Sequence, residues 1–163
     1  MVMRAKIFFL LTLIILSVLA YNVFKKEIML ARGQTFYLEL APVDPRSLLQ
    51  GDYMQLNYKI SNRDLLFEQY DHVCLILNDK KVAEYLMDLE HDECEKSGGV
   101  CISVHYDRGG YHVAPTSFFF QEGYAQLYET ARYAILKHSG HKVLLKGLAD
   151  KDLKEICPAC HST

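Results

Sequence analysis

The sequence predicts a mainly β or α+β domain of antiparallel hairpins with a few short helices, carried behind one N-terminal transmembrane helix. Three observations predict it. An unbroken apolar run occupies residues 7–24. From residue 34 onward the dominant hydrophobic period is two, the period of half-buried strands. Turn-forming clusters rich in Asn, Asp and Gly then recur between the apolar segments. The resulting division is a membrane anchor with a short helical extension (1–33), a β-rich body (34–156) and a cysteine-containing tail (157–163).

Arg4 and Lys6 precede the apolar run, and Lys25 and Lys26 close it. At about 18 residues it just crosses a bilayer core, with the flanking lysines reaching the interface. Val18-Leu19-Ala20 also satisfies the small-residue rule for a cleaved signal peptide, but apolar character continues past Ala20, which favours an uncleaved anchor. Residues 25–33 read as a helical extension stopped by Gly33.

Phe36, Leu38 and Leu40 alternate with Tyr37 and Glu39 in a half-buried strand ending at Pro42. Residues 42–46, with two prolines, form a stiff loop, and residues 47–52 turn into the next strand. There Met54, Leu56, Tyr58 and Ile60 share the core face, while Tyr53, Gln55, Asn57 and Lys59 face out. Residues 63–71 are a short helix or loop. Strands at 72–77 and 82–87 flank an Asn78-Asp79-Lys80-Lys81 turn.

Residues 90–99 read as a polar loop. A second hairpin runs over 100–106 and 111–114, and residues 117–121 form a buried aromatic strand. Residues 123–133 have helical spacing through Leu127 and Ala131. A third hairpin covers 133–137 and 142–147, and 150–156 reads as a capped terminal helix.

Composition limits the function. With 18 basic and 20 acidic residues and a net charge of −2, well mixed, there is no basic stripe for a phosphate backbone. Nucleic acid is therefore not an expected partner. Eleven tyrosines and eight phenylalanines without tryptophan suit a strand-rich body with large aromatic contacts.

The string Gly51-Asp52-Tyr53-Met54-Gln55-Leu56-Asn57-Tyr58 resembles the signature of the GDYXXLXY domain family. So do the approach through Leu40–Leu48 and the later Glu122-Gly123, Tyr128-Glu129, Ala131-Arg132-Tyr133 and Gly147-Leu148. The resemblance implies a bacterial, membrane-anchored protein associated with polytopic membrane proteins. It brings no catalytic residues. The implied place is the inner membrane, crossed once, with the body facing the periplasm or cell exterior. Flanking charges are nearly balanced, so this orientation rests on the anchor-like N-terminus and on cysteines placed for oxidation.

Around the signature, Arg46 can pair with Asp44 or Asp52, and Arg132 with Glu129 or Glu122. The plain reading is a loop pinned by ion pairs beside a core tyrosine. The functional reading is an interaction surface of Asp44, Arg46, Asp52, Tyr53, Glu122 and Arg132. A membrane helix followed by Gly-Asp opening a strand also resembles type I signal peptidases. The segment where their serine lies is here Pro42-Val43-Asp44-Pro45, and no lysine base is suitably placed, so peptidase activity is not expected.

Cys157-Pro158-Ala159-Cys160-His161 is a C-x-x-C-H sequence, the pattern for covalent haem c. Two thiols add to the haem vinyls and the histidine ligates iron. The rival readings are a disulfide or a plain thiol pair, and no cofactor is the main expectation. Cys94 and Cys101 flank a short polar loop and are expected to pair, whereas Cys74 reads as a buried apolar residue. His105 and His112 should face each other across a hairpin, near enough to share zinc; His138 and His141 could do so with Cys157 and Cys160. Ordinary surface histidines are the simpler reading of both pairs. The function expected is a non-enzymatic accessory module for an integral membrane protein.

Overall fold

The computed structural model describes residues 2–41, 53–62, 72–87, 91–107, 110–121 and 123–157. Two units make up the chain, residues 1–33 and 34–163.

The first unit is a single helix, α1 (Val2–Arg32), with a stretch from Lys6 to Arg32 long and apolar enough to cross a membrane. Three of its polar side chains bond back to the helix backbone. Thr12 Oγ1 donates to the Phe8 carbonyl at 3.0 Å, Ser17 Oγ to Leu13 at 2.8 Å and Asn22 Nδ2 to Val18 at 2.8 Å. Hydrocarbon offers polar groups no partner, so this back-bonding is what a spanning helix needs. Near its end Lys25 places its ammonium 5.2 Å from the Tyr21 ring centre, a pairing suited to an interfacial belt.

The body is antiparallel. Its strands are β1 (Gln34–Glu39), β2 (Tyr53–Gln55), β3 (His72–Leu77), β4 (Ala83–Met87), β5 (Val100–Ser103), β6 (His105–Asp107), β7 (Gly110–His112), β8 (Ser117–Phe119), β9 (Tyr133–Ser139) and β10 (Lys142–Ala149). The short helices are α2 (His91–Lys96) and α3 (Ala125–Tyr128). Among the described residues the strands make sheets β1-β9-β10 and β4-β3-β5 and ribbons β2-β8 and β6-β7. Single links join them. Tyr37 N donates to Lys81 O at 2.9 Å beside a parallel Tyr37–Val82 bridge, and Ser103 N donates to His141 O at 3.2 Å.

The two-residue alternation becomes the core. Phe36 and Leu38 of β1 meet Leu136 of β9 and Leu148 of β10, with Val73, Leu75, Val100 and Ile102 from the second sheet. Met54, Leu56, Tyr58 and Ile60 are all buried, and Tyr53, Gln55, Asn57 and Lys59 are exposed, as the alternation predicts. Fully burying one such large side chain contributes about 1.5–3 kcal/mol, so the phase of the pattern fixes the register.

Four local expectations need correction. The segment 91–96 is a helix, not a loop. It ends where Gly98 adopts φ +72° and Gly99 N donates to Cys94 O at 2.9 Å, a glycine-closed helix end. Helix α3 is shorter than the 123–133 span: Thr130 Oγ1 donates to Leu127 O, and Arg132 N turns away to Ala149 O. Residues 150–156 are not a helix. Asp150 Oδ1 accepts from Asp152 N at 2.8 Å and Lys154 N at 3.0 Å, and Glu155 bridges back to Ala149. An aspartate that captures local backbone donors competes with helix formation. Finally, β8 is half-exposed rather than buried, with Phe119 pointing out.

Candidate functional site

The family signature divides into two parts. Leu56 and Tyr58 are core residues, 1% and 2% exposed. The phenol of Tyr58 donates to the Pro115 carbonyl at 2.5 Å, and burial holds that phenol well above its usual pKa. Backbone bonds from Leu56 N to Thr116 O and from Ala41 N to Asn57 O, each 2.7 Å, fix the same segment on both sides. These residues hold the fold together.

Tyr53 lies on the other face. It pairs in register with Phe119 across the β2-β8 ribbon, their ring centres 5.8 Å apart. Tyr53 is 42% and Phe119 73% exposed. Directly behind them Phe118 and Phe120 pack on Tyr128 at 5.1 and 5.2 Å, anchoring the ribbon to α3. Burial, and then the negative charge of Cys157 and Glu155, raises the Tyr128 pKa. The outer aromatic pair thus stands on an inner layer of packed rings. Sequence reasoning found Tyr53 but missed Phe119, hidden in a Phe-Phe-Phe run whose middle member must face opposite its neighbours.

Of the other predicted surface residues, Asp44, Arg46, Asp52 and Glu122 lie outside the described residues. Arg132 is exposed at the entrance to β9, where its Nη1 donates to Ala131 O at 3.1 Å and its carbonyl accepts from Leu40 N at 2.9 Å. Arg132 and Glu129, both described, form no ion pair.

A separate cleft of about 620 Å³, which the sequence did not reveal, opens elsewhere on the body. Glu39, Lys59, Asn78, Glu84, Tyr133 and Asp152 are among its lining residues. Lys59 bridges Glu39 at 3.1 Å and Asn78 bonds Glu84 at 3.0 Å, so these polar groups satisfy one another. Neither Tyr53 nor Arg132, the described members of the predicted surface, lines this cleft.

The cysteines pair differently from expectation. The disulfide is Cys74–Cys94, not Cys94–Cys101, and Cys74 is a bonded residue rather than a plain apolar one. Nearness in sequence misled: α2 brings Cys94 over the bare backbone of Gly99, where both disulfide sulfurs sit. Cys101 instead lies opposite Cys74 across β3 and β5. Cys101 Sγ is 3.7 Å from His141 Nδ1, and its carbonyl is 2.9 Å from His138 Nε2. His138 and His141 thus both reach Cys101.

Within the haem motif, Cys157 is half-buried beside Tyr128, and Cys160 and His161 lie outside the described residues. His105 and His112 face each other in the β6-β7 register as predicted. Among the described residues no set of three or more His, Cys, Asp or Glu side chains is arranged to hold a metal.

A single apolar helix followed by a β-rich body, with Leu56 and Tyr58 of the signature in its core and Tyr53 on its surface, defines the class of protein. The sequence pattern of the GDYXXLXY protein family matches residues 15–148, and the chain belongs to that family. Neither a curated protein nor a solved structure matches it.

Proposed function

We propose that the protein is a non-enzymatic accessory module, anchored by α1 in a bacterial inner membrane, whose body binds an integral membrane partner on the extracytoplasmic side. The observation that carries this reading is the exposed Tyr53–Phe119 pair, built on the family signature and braced from behind by Phe118, Phe120 and Tyr128. Large exposed aromatics on a rigid support are what interface anchors are made of. The Cys74–Cys94 disulfide supports an oxidising compartment for the body. The apolar run to Phe24 supports a retained anchor, since it continues past the candidate cleavage site at Ala20.

The test is purification of the full chain from native membranes in mild detergent, with mass spectrometry of what accompanies it. A stoichiometric polytopic protein is expected, lost in the Tyr53→Ser/Phe119→Ser variant and weakened in Asp52→Ala/Arg132→Ala. Recovery of the chain alone overturns the accessory role, and a partner retained by both variants overturns the surface. A haem stain on the same preparation separates this reading from covalent haem at Cys157, Cys160 and His161.

A further inference from the structure

Three sulfurs sit in one small buried cluster. Cys74 and Cys94 are fully buried, Cys101 is 4% exposed, and Ile76 packs against them. The cluster is distinct from the Tyr53–Phe119 surface and from the 620 Å³ cleft. Burial keeps bulky external thiols from the disulfide, so the thiol best placed to reach it is internal.

Strand register chooses the partner. Cys74 on β3 lies directly opposite Cys101 on β5. Residues so opposed in an antiparallel pair have Cα atoms about 4.5–5.5 Å apart. That separation falls within the roughly 4.4–6.8 Å that a disulfide accepts without backbone movement. Cys74 can thus bond to Cys94 on α2, as the structure shows, or to Cys101 on the adjacent strand. Gly99 makes the first arrangement possible: a Cβ there would meet Cys74 Sγ at 2.7 Å and Cys94 Sγ at 2.9 Å.

A base stands beside the third sulfur. His141 Nδ1 is 3.7 Å from Cys101 Sγ. The His141 ring is set edge-on against His72, centres 4.6 Å apart, and its backbone carbonyl accepts from Ser103 N, which ties the β9-β10 turn to β5. His141 also lines a cavity of about 260 Å³ with His105 and His112. Among the described residues, the titratable groups placed next to it include Cys101 and these histidines, with His138 on the Cys101 carbonyl.

We propose that Cys74, Cys94, Cys101 and His141 form a thiol–disulfide exchange site, in which the bond to Cys74 passes from Cys94 to Cys101. His141 takes the proton from the Cys101 thiol. The thiolate attacks Cys74 Sγ, the Cys74–Cys101 bond forms, and the Cys74–Cys94 bond breaks with its electron pair on Cys94. The Cys94 thiolate then takes up the proton. One disulfide and one thiol stand on each side of the reaction, so no oxidant or reductant is consumed.

The product differs in one respect: α2 loses its covalent tie to the sheet. Six residues do not sustain a helix without tertiary support, so exchange loosens α2 and uncovers the Cys94 thiol. The site is a switch between a tethered and an untethered α2.

The experiment holds the full-length protein in detergent micelles at pH 8 without reductant, unfolds it in acid and alkylates it with N-ethylmaleimide. Tryptic cleavage after Arg63, Lys80, Lys81, Lys96 and Arg108 puts the three cysteines on separate peptides. Mass spectrometry without reduction is expected to find a Cys74–Cys101 cross-link together with an equal amount of alkylated Cys94. The Cys101→Ser variant should show neither. Recovery of the Cys74–Cys94 link alone, or of Cys94 joined to Cys101, overturns the proposal.

His141 is read by its pH profile. Burial disfavours a bare thiolate, so a neighbouring base matters most where hydroxide is scarce. His141→Ala should therefore slow the approach to equilibrium roughly tenfold at pH 7 and by a clearly smaller factor at pH 9.5. Equal slowing at both pH values overturns the role of His141 as base.

Discussion

The Tyr58 phenol donates to the Pro115 carbonyl at 2.5 Å across 57 positions of sequence, and this bond closes the family signature onto the segment leading into β8. The ring is buried in the main core, so the hydroxyl has no exchange with water to fall back on. Replacing Tyr58 with Phe keeps the packing but removes the donor. The expected cost is about 1–2 kcal/mol. Thermal unfolding of the full chain in mild detergent should show it as a midpoint lowered by roughly 3–6 °C. An unchanged midpoint would mean that the bond adds nothing net.

The same phenol sets the alkaline limit. Burial raises its pKa in the folded state above the ordinary value of 10.0. The folded protein therefore holds this proton more tightly than the unfolded chain does. That contribution is complete below about pH 10 and is lost as pH rises beyond it, at up to about 1.4 kcal/mol per pH unit. Tyr128, raised in the same direction chiefly by burial, adds to the slope. Denaturant midpoints measured from pH 8 to 11 should fall steeply in the wild type and less steeply in Tyr58→Phe.

The alternation from Phe36 to Leu40 and from Met54 to Ile60 was legible because the side chains obey a strict period and the core rewards its phase. The Asn78 turn was legible for a similar reason: its Oδ1 accepts from Lys80 N and Val82 N, a bond pattern local to four residues. The cysteine pairing failed because it depended on contacts remote in sequence. Cys74 and Cys94 meet only because β3 pairs with β5 and α2 folds back over Gly99. Helix α2 did carry a local signal: Gly98-Gly99 reads equally as a loop and as a helix end, and only the fold decides. Of the predicted surface, Tyr53 and Arg132 are exposed, and Phe119, missed by the sequence, proves to be the register partner of Tyr53.

Gly99 is required by space rather than by backbone conformation. A methyl group there would lie 2.7 Å from Cys74 Sγ, 2.9 Å from Cys94 Sγ and 3.0 Å from the Leu75 carbonyl. None of these is the yielding tip of a flexible side chain. Gly99→Ala should destabilise the body by about 1–3 kcal/mol through overpacking. It should also raise the fraction of Cys94 alkylated by N-ethylmaleimide after unfolding, because the sulfurs are forced apart. A variant as stable as the wild type, with its Cys74–Cys94 bond intact, would contradict the packing.

Asp150 organises the turn that carries Ile156 back into the core. Its carboxylate accepts from two backbone donors, and the turn lets Glu155 bridge Ala149 and Ile156 N reach Leu148 O at 2.8 Å. Asp150→Ala should cost about 1 kcal/mol, the usual loss for an aspartate that caps backbone groups. Asp150→Asn retains an acceptor and should recover most of it. Equal losses in both variants would point to charge rather than to the accepted bonds.

Tyr53 and Phe119 should show the opposite profile. Both are exposed, their mutual contact is a single ring pair, and the load-carrying packing lies on the inner face with Phe118, Phe120 and Tyr128. Losing one exposed aromatic pair costs the fold about 0.5–1 kcal/mol. An anchor at an interface contributes about 2 kcal/mol or more, close to thirtyfold in affinity. Tyr53→Ser/Phe119→Ser should therefore unfold within a few degrees of the wild type while its partner disappears from the purified complex. Phe120→Ala, cut into the inner layer, should lower the unfolding midpoint more than the double variant does. If the double variant unfolds as readily as Phe120→Ala, the outer pair belongs to the core and the binding surface must be sought elsewhere.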